Sequence, residues 1–150
     1  MKLPKKFDKY EYYARAVQSP DADIDFFLRA YKESRGKAPH IFREDFCGTF
    51  ELSRSWVKRH PDHKAYGIDL DPEPIRYGRK REKEDLTQEE SGRLKIFKKN
   101  VLAPDLPSAD IIGALNFSYF IFKDRKDLKT YFENCLDSLH KDGILLLDCF

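Results

Sequence analysis

Arg43-Glu44-Asp45-Phe46-Cys47-Gly48-Thr49 and, after an intervening helical pattern, Gly67-Ile68-Asp69-Leu70 are the stretches whose reading decides the fold. The second is a short apolar strand ending on an aspartate, 25 positions after Glu44. A strand–turn–helix–strand unit brings an acid beside a ligand at the end of its first strand over about 20 residues, and a carboxylate so placed can accept both hydroxyl protons of a ribose. The spacing therefore suits a crevice for an adenosine-containing molecule.

Outward from this unit, strand and helix patterns alternate. Tyr10 to Val17 and Asp23 to Lys32 read as two aromatic-rich helices, with Ser19 or Asp21 as the cap of the second. Ile41 to Phe46 is the first strand; Thr49 then caps a helix through Leu52, Trp56 and Val57 that stops at His60-Pro61. Lys64 to Asp69 is the second strand, and Asp71-Pro72 opens a charged helix to about Asp85. Thr87 to Gly92 reads as a polar loop and Leu94 to Lys98 as strand three. Ala109 to Leu115 carries no charge after Asp110 and reads as a central strand buried on both faces. Leu128, Tyr131, Phe132, Cys135, Leu136 and Leu139 form a helical stripe ended by Lys141-Asp142-Gly143, and Ile144 to Leu147 opens strand five. Strands separated by helices predict right-handed crossovers: an α/β three-layer sandwich with a doubly wound, mostly parallel sheet and its crevice at the strands' carboxyl ends.

At 150 residues the chain is about one domain, able to bury roughly 70% of its unfolded surface. Residues 1–36 read as an N-terminal helical cap and 37–150 as the ligand-binding domain. A net charge of +2 gives no bias towards nucleic acid or membrane surfaces, and no segment approaches the roughly 18 apolar residues of a membrane span. Cys47, Cys135 and Cys149 are odd in number and widely spaced, which suits reduced thiols in a cytoplasm.

The first turn chooses among ligands. A dinucleotide pyrophosphate needs G-x-G-x-x-G at the helix N-terminus, yet here Gly48 is followed by Phe50 and Glu51. Glu51 suits the helix dipole and repels a phosphate, so a cofactor without phosphates is expected. S-adenosylmethionine meets that condition and offers an ammonium that Glu44 or Asp45 can hold.

Arg43 through Thr49, Gly67-Ile68-Asp69, Asn100-Val101 and Leu115-Asn116-Phe117-Ser118-Tyr119 together resemble the successive motifs of class I S-adenosylmethionine-dependent methyltransferases, over nearly the whole chain after residue 38. The resemblance implies that Glu44 lies near the methionine amino group, Cys47, Gly48 and Thr49 form the turn beneath the cofactor, and Asp69 takes the ribose hydroxyls. It further implies Leu70 beside the adenine, Asn100 on the adenine amino group, Val101 as a backbone contact, Asn116 and Phe117 at the cofactor, and Asn116 and Tyr119 as the catalytic candidates at the acceptor. Phe46 and Phe50 depart from the pattern, standing where the family's loop has glycine or another small residue. Asn116-Phe117-Ser118-Tyr119 also lacks both prolines of the Asn-Pro-Pro-Tyr motif of amino-methylating enzymes, while Phe120, Ile121 and Phe122 read as an apolar wall.

The expected function is methyl transfer to a small molecule, ahead of an exposed protein or RNA nitrogen. Tyr10, Tyr12 and Tyr13 are placed as a lid, since aromatic faces tolerate the charge that moves to the acceptor. The rivals are a nucleotide-binding Rossmann-type oxidoreductase and a cofactor-binding fragment without turnover. Arg43 faces the cofactor carboxylate or pairs with Asp45, two residues along the same strand face. Phe26, Phe27 and Tyr31 are read as core, His60 and His63 as surface loop histidines, Cys47 as a small turn residue rather than a nucleophile, and no metal site is expected. The chain stops inside strand five, so the domain is expected to be incomplete there and either to pair, as a homodimer, through that strand or to be weakly stable.

Overall fold

The computed structural model describes residues 7–17 and 19–149. Ile41–Asp45 (β1), Lys64–Asp69 (β2), Leu94–Lys98 (β3), Ala109–Ala114 (β4) and Leu139–Leu147 (β5) form one sheet in the order β3-β2-β1-β4-β5, every pairing parallel. β1 is the middle strand, and β4 lies beside it with neighbours on both edges. The chain runs outward from β1 to β2 and β3, then returns to β4, so β1 and β4 flank the switch point where open α/β sheets bind ligands.

Among the described residues six α-helices accompany the sheet: Lys9–Val17 (α1), Pro20–Arg35 (α2), Glu51–Arg59 (α3), Pro72–Asp85 (α4), Gln88–Gly92 (α5) and Arg125–Ser138 (α6). On one face Phe42 of β1 meets Ile24, Phe27 and Tyr31 of α2 and Trp56 and Val57 of α3. Each such side chain contributes about 1.5–3 kcal/mol by leaving water. α2 thus belongs to the core of the sheet. On the other face Ile68, Ile112 and Ala114 lie under Tyr131 and Cys135 of α6. Arg43 and Asp45 are fully buried there as an ion pair, with Nε donating to Oδ1 at 2.8 Å and Nη2 to Oδ2 at 3.0 Å. Tyr131 Oη donates to Asp45 Oδ2 at 2.8 Å, and Arg43 Nη1 reaches the Pro107 carbonyl at 3.0 Å and Ser138 Oγ at 2.8 Å. Every polar group of the pair is thereby satisfied, as burial requires.

Several local expectations are corrected. Thr87 to Gly92 is not a loop: Thr87 and Glu90 form a reciprocal capping box that starts α5. Thr49 does not cap α3; Phe50 is the N-cap residue, left-handed at φ 47°. Ser19 precedes α2 without a side-chain cap, whereas Asp71 does cap α4, accepting from the Glu73 N–H at 2.9 Å. α6 ends at Ser138, and Lys141-Asp142-Gly143 form an irregularity inside β5 where Asp142 turns left-handed at φ 67°. Leu136, part of the helical stripe, is 72% exposed because the buried line of α6 runs through Tyr131, Cys135 and Ser138. Phe26 is half exposed rather than core. His63 is buried: its ring stacks on Trp56 at 4.4 Å, and Nδ1 lies 3.0 Å from the Trp56 carbonyl. Among the described residues no helix is long and apolar enough to cross a membrane.

Candidate functional site

Alternation along β1 separates its two acids. Arg43 and Asp45 point towards α6, while Glu44 points towards α3 with Phe42. Glu44 is 6% exposed, and its Oε2 accepts from the Ser53 N–H at 2.9 Å and from Ser53 Oγ at 2.6 Å. Ser53 is the third residue of α3, so the carboxylate fills the role of the helix cap that Phe50 has no oxygen to supply. The second oxygen, Oε1, makes no hydrogen bond among the described residues. Burial pushes the Glu44 carboxyl up to about 7.

Glu44 borders a cavity of about 460 Å3 at the carboxyl ends of β1 and β4, within the size range of small-molecule sites. The turn from Phe46 to Thr49 forms its floor, Leu115, Asn116 and Ser118 one side, and Tyr10 and Tyr13 its cover. Phe46 and Phe50 both take left-handed backbone, at φ 55° and 47°, and so do Asn116 and Phe117, at φ 57° and 55°. Non-glycine residues rarely adopt this region, and such strain persists only where surroundings enforce it. Here the rings supply the enforcement. Phe46 packs on Phe122 and Tyr131, and Phe50 is fully buried against Gly78 of α4, where an added Cβ would lie 2.4 Å from its ring. Cys47 is a buried turn residue whose thiol burial pushes well up, which leaves no reactive thiolate. Gly48 is left-handed at φ 53°, with open space where a side chain would stand.

The second turn is clamped from β5. Asp148 accepts the backbone N–H groups of Asn116 at 2.6 Å and Phe117 at 2.8 Å, and its own carbonyl accepts from Tyr119 Oη at 2.7 Å. Asp148 went unread in the sequence. Yet it carries the signal that marks Asp69, an acid closing an apolar strand.

The lid is tethered too. Asp8 Oδ1 takes the Tyr10 and Glu11 N–H groups at the start of α1, Tyr77 of α4 donates to Asp8 Oδ2 at 2.9 Å, and Lys9 pairs with Glu73 at 2.5 Å. Tyr12 points away, 55% exposed and stacked on Phe7.

The cavity thus gathers Tyr13, Glu44, Cys47, Gly48, Thr49 and Asn116, and the main chain of Asp45. Other candidates lie outside its lining. Arg43 is spent on Asp45 in the core. Asp69 joins the first turn to the start of α4, accepting the Gly48 N–H at 2.8 Å on one oxygen and the Asp71 N–H at 2.9 Å on the other. Leu70 is exposed, Asn100 accepts the Leu102 N–H of its own turn at 2.9 Å, and Val101 is core. Phe117 and Tyr119 belong to the clamped turn beside the cavity.

No protein-family model and no curated protein matches the sequence. Solved structures do match. An S-adenosylmethionine-dependent methyltransferase from Clostridium acetobutylicum superposes with a TM-score of 0.75 at 17% identity, covering 92% of this chain and 55% of its own. CalS10, an amino pentose methyltransferase from Micromonospora echinaspora, gives 0.74 at 17% identity, covering 100% and 59%. The sugar N-methyltransferase KedS8 from a Streptoalloteichus species gives 0.74 at 20% identity, covering 100% and 57%. The chain therefore spans little more than half the length of these proteins. With its all-parallel sheet, its switch point at β1 and β4 and these superpositions, the chain has the class I methyltransferase fold.

Proposed function

We propose that the chain is the cofactor-binding part of an S-adenosylmethionine-dependent methyltransferase whose acceptor is a small molecule. The observation that carries this is the position of Glu44. One of its oxygens occupies the N-terminus of α3 and the residue lines the cavity, so a pyrophosphate would meet a carboxylate where it needs bare amides. A cofactor with an ammonium and no phosphate meets the opposite situation. The residues present fit it. Glu44 Oε1 would hold the ammonium and the open face of Gly48 would let the cofactor approach the turn. Asp69, each of whose oxygens keeps a free lone pair, would take the ribose diol.

Bound there, S-adenosylmethionine supplies an electrophilic methyl group on a cationic sulfur. The chain's task is then to orient the acceptor and exclude water. Tyr10 and Tyr13 cover the cavity, and their ring faces tolerate positive charge at about 0.5–2 kcal/mol per contact. Asn116, held on its strained turn by Asp148, is the residue placed to read the acceptor. The small-molecule reading is supported by the amino pentose and sugar substrates named for CalS10 and KedS8. Three free cysteines suit a reducing, cytoplasmic setting.

Calorimetric titration with S-adenosylmethionine, S-adenosylhomocysteine and NAD tests the assignment. Binding of the first two and not the third is expected. Tighter binding of NAD would sink it and favour the oxidoreductase reading.

A further inference from the structure

A second cavity, of about 320 Å3, adjoins the first, and Leu52, Leu115 and Asn116 line both. Its remaining walls come from α2 (Asp23, Phe26 and Phe27) and from the end of β5 (Leu146, Leu147 and Asp148). Phe26 explains itself here. Its spacing on α2 marks it as core, yet it stands 50% exposed, its ring 6.3 Å from that of Phe27, on the wall of this cavity. The lining is thus apolar on most sides, with Asn116 at the boundary to the first cavity and two carboxylates as the charged groups.

Neither carboxylate has an ion-pair partner among the described residues. Asp148 receives two backbone N–H groups, which leave one lone pair on each oxygen. Asp23 lies in the first turn of α2, and burial, with the nearby charge of Asp148, raises its carboxyl. Two acids without a counter-ion at an apolar cavity attract a cation with an apolar body more than a neutral molecule of the same shape.

We propose that this second cavity binds the methyl acceptor, a small primary or secondary amine with a compact apolar body, with its nitrogen towards Asp23 and Asp148 and beside Asn116; it would bind as the ammonium and give its proton to one of these carboxylates, which frees the nitrogen lone pair to take the methyl group. Calling the ligand an acceptor rests on the methyltransferase reading above; the amine site itself rests only on the cavity and its charges.

The test is titration of the chain with cyclohexylamine and with cyclohexanol, followed by calorimetry and by backbone amide shifts, with S-adenosylhomocysteine titrated separately. Cyclohexylamine is expected to bind at least tenfold more tightly than the alcohol and to shift amides of residues 23–27 and 146–148. Asp23→Asn should remove the preference, and Phe26→Ala should weaken both probes, with thermal melts confirming that each variant folds. Equal affinity for the two probes in the unaltered chain overturns the proposal without needing a variant, as does an amine preference that survives Asp23→Asn. If the amine preference holds while S-adenosylhomocysteine fails to bind, the amine site stands and the methyltransferase reading falls. The converse result removes the amine site alone.

Discussion

Glu44 holds Ser53 in the structure and, on the proposed reading, would also hold an ammonium, a role that requires its charged form. Because its folded pKa is raised from 4.5 to about 7, the folded chain holds a proton that the unfolded chain has released over that window. Its contribution to stability is full below pH 4.5 and is lost as pH rises through 7. Glu44→Gln keeps an oxygen for the Ser53 N–H but has no charge to desolvate. It should therefore be more stable than the parent at pH 8, by about 1–3 kcal/mol in a denaturant melt, while binding S-adenosylhomocysteine at least tenfold more weakly. A variant that binds as well as the parent would remove Glu44 from the ammonium site. At this scale the sequence was legible where chemistry is local: the strand-end acids stood out by position. The division of labour between Glu44 and Asp45 was not, because it depends on which face of β1 meets α3 and which meets α6.

Among elements, the contact of α4 with the first turn governs the shape of the site. Gly78 lies where any Cβ would come within 2.4 Å of the Phe50 ring and 2.5 Å of the Thr49 carbonyl. Gly78→Ala must push the turn into the cavity or α4 away from it, at a cost of about 1–3 kcal/mol, and should weaken cofactor binding as well. Thermal melts and titration of the variant check both effects; an unchanged melting temperature would mean that α4 shifts freely. Strands β2 and β3 and the cap of α4 were read correctly because their signals lie within each segment. The start of α3 was misassigned because its cap comes from another strand. Phe46 and Phe50 adopt a conformation that only long-range packing can enforce.

For the molecule as a whole, the buried Arg43–Asp45 pair ties the middle strand to α6 and to the Pro107 loop. Asp45→Asn leaves a guanidinium buried without its counter-charge and should cost about 3–5 kcal/mol. The double variant Arg43→Met with Asp45→Leu should recover most of that loss, and a denaturant melt of the three proteins measures it. Equal stability of the single and double variants would show that the pair does not act as a unit. The doubly wound architecture was legible from the alternation of strand and helix. The strand order was not, since nothing in Ala109–Ala114 states that it pairs with β1 rather than with β3.

Trp56 is the chain's single tryptophan, fully buried and stacked on the His63 ring. The protein therefore carries its own optical gauge. Its emission should be blue-shifted in the native fold and move to the red when the core opens. Burial lowers the His63 pKa, so protonation of the ring should come only below the usual histidine range and should quench that emission as it does. A single dye-free fluorescence trace can then follow both the unfolding of the α3 face and the charging of one buried imidazole.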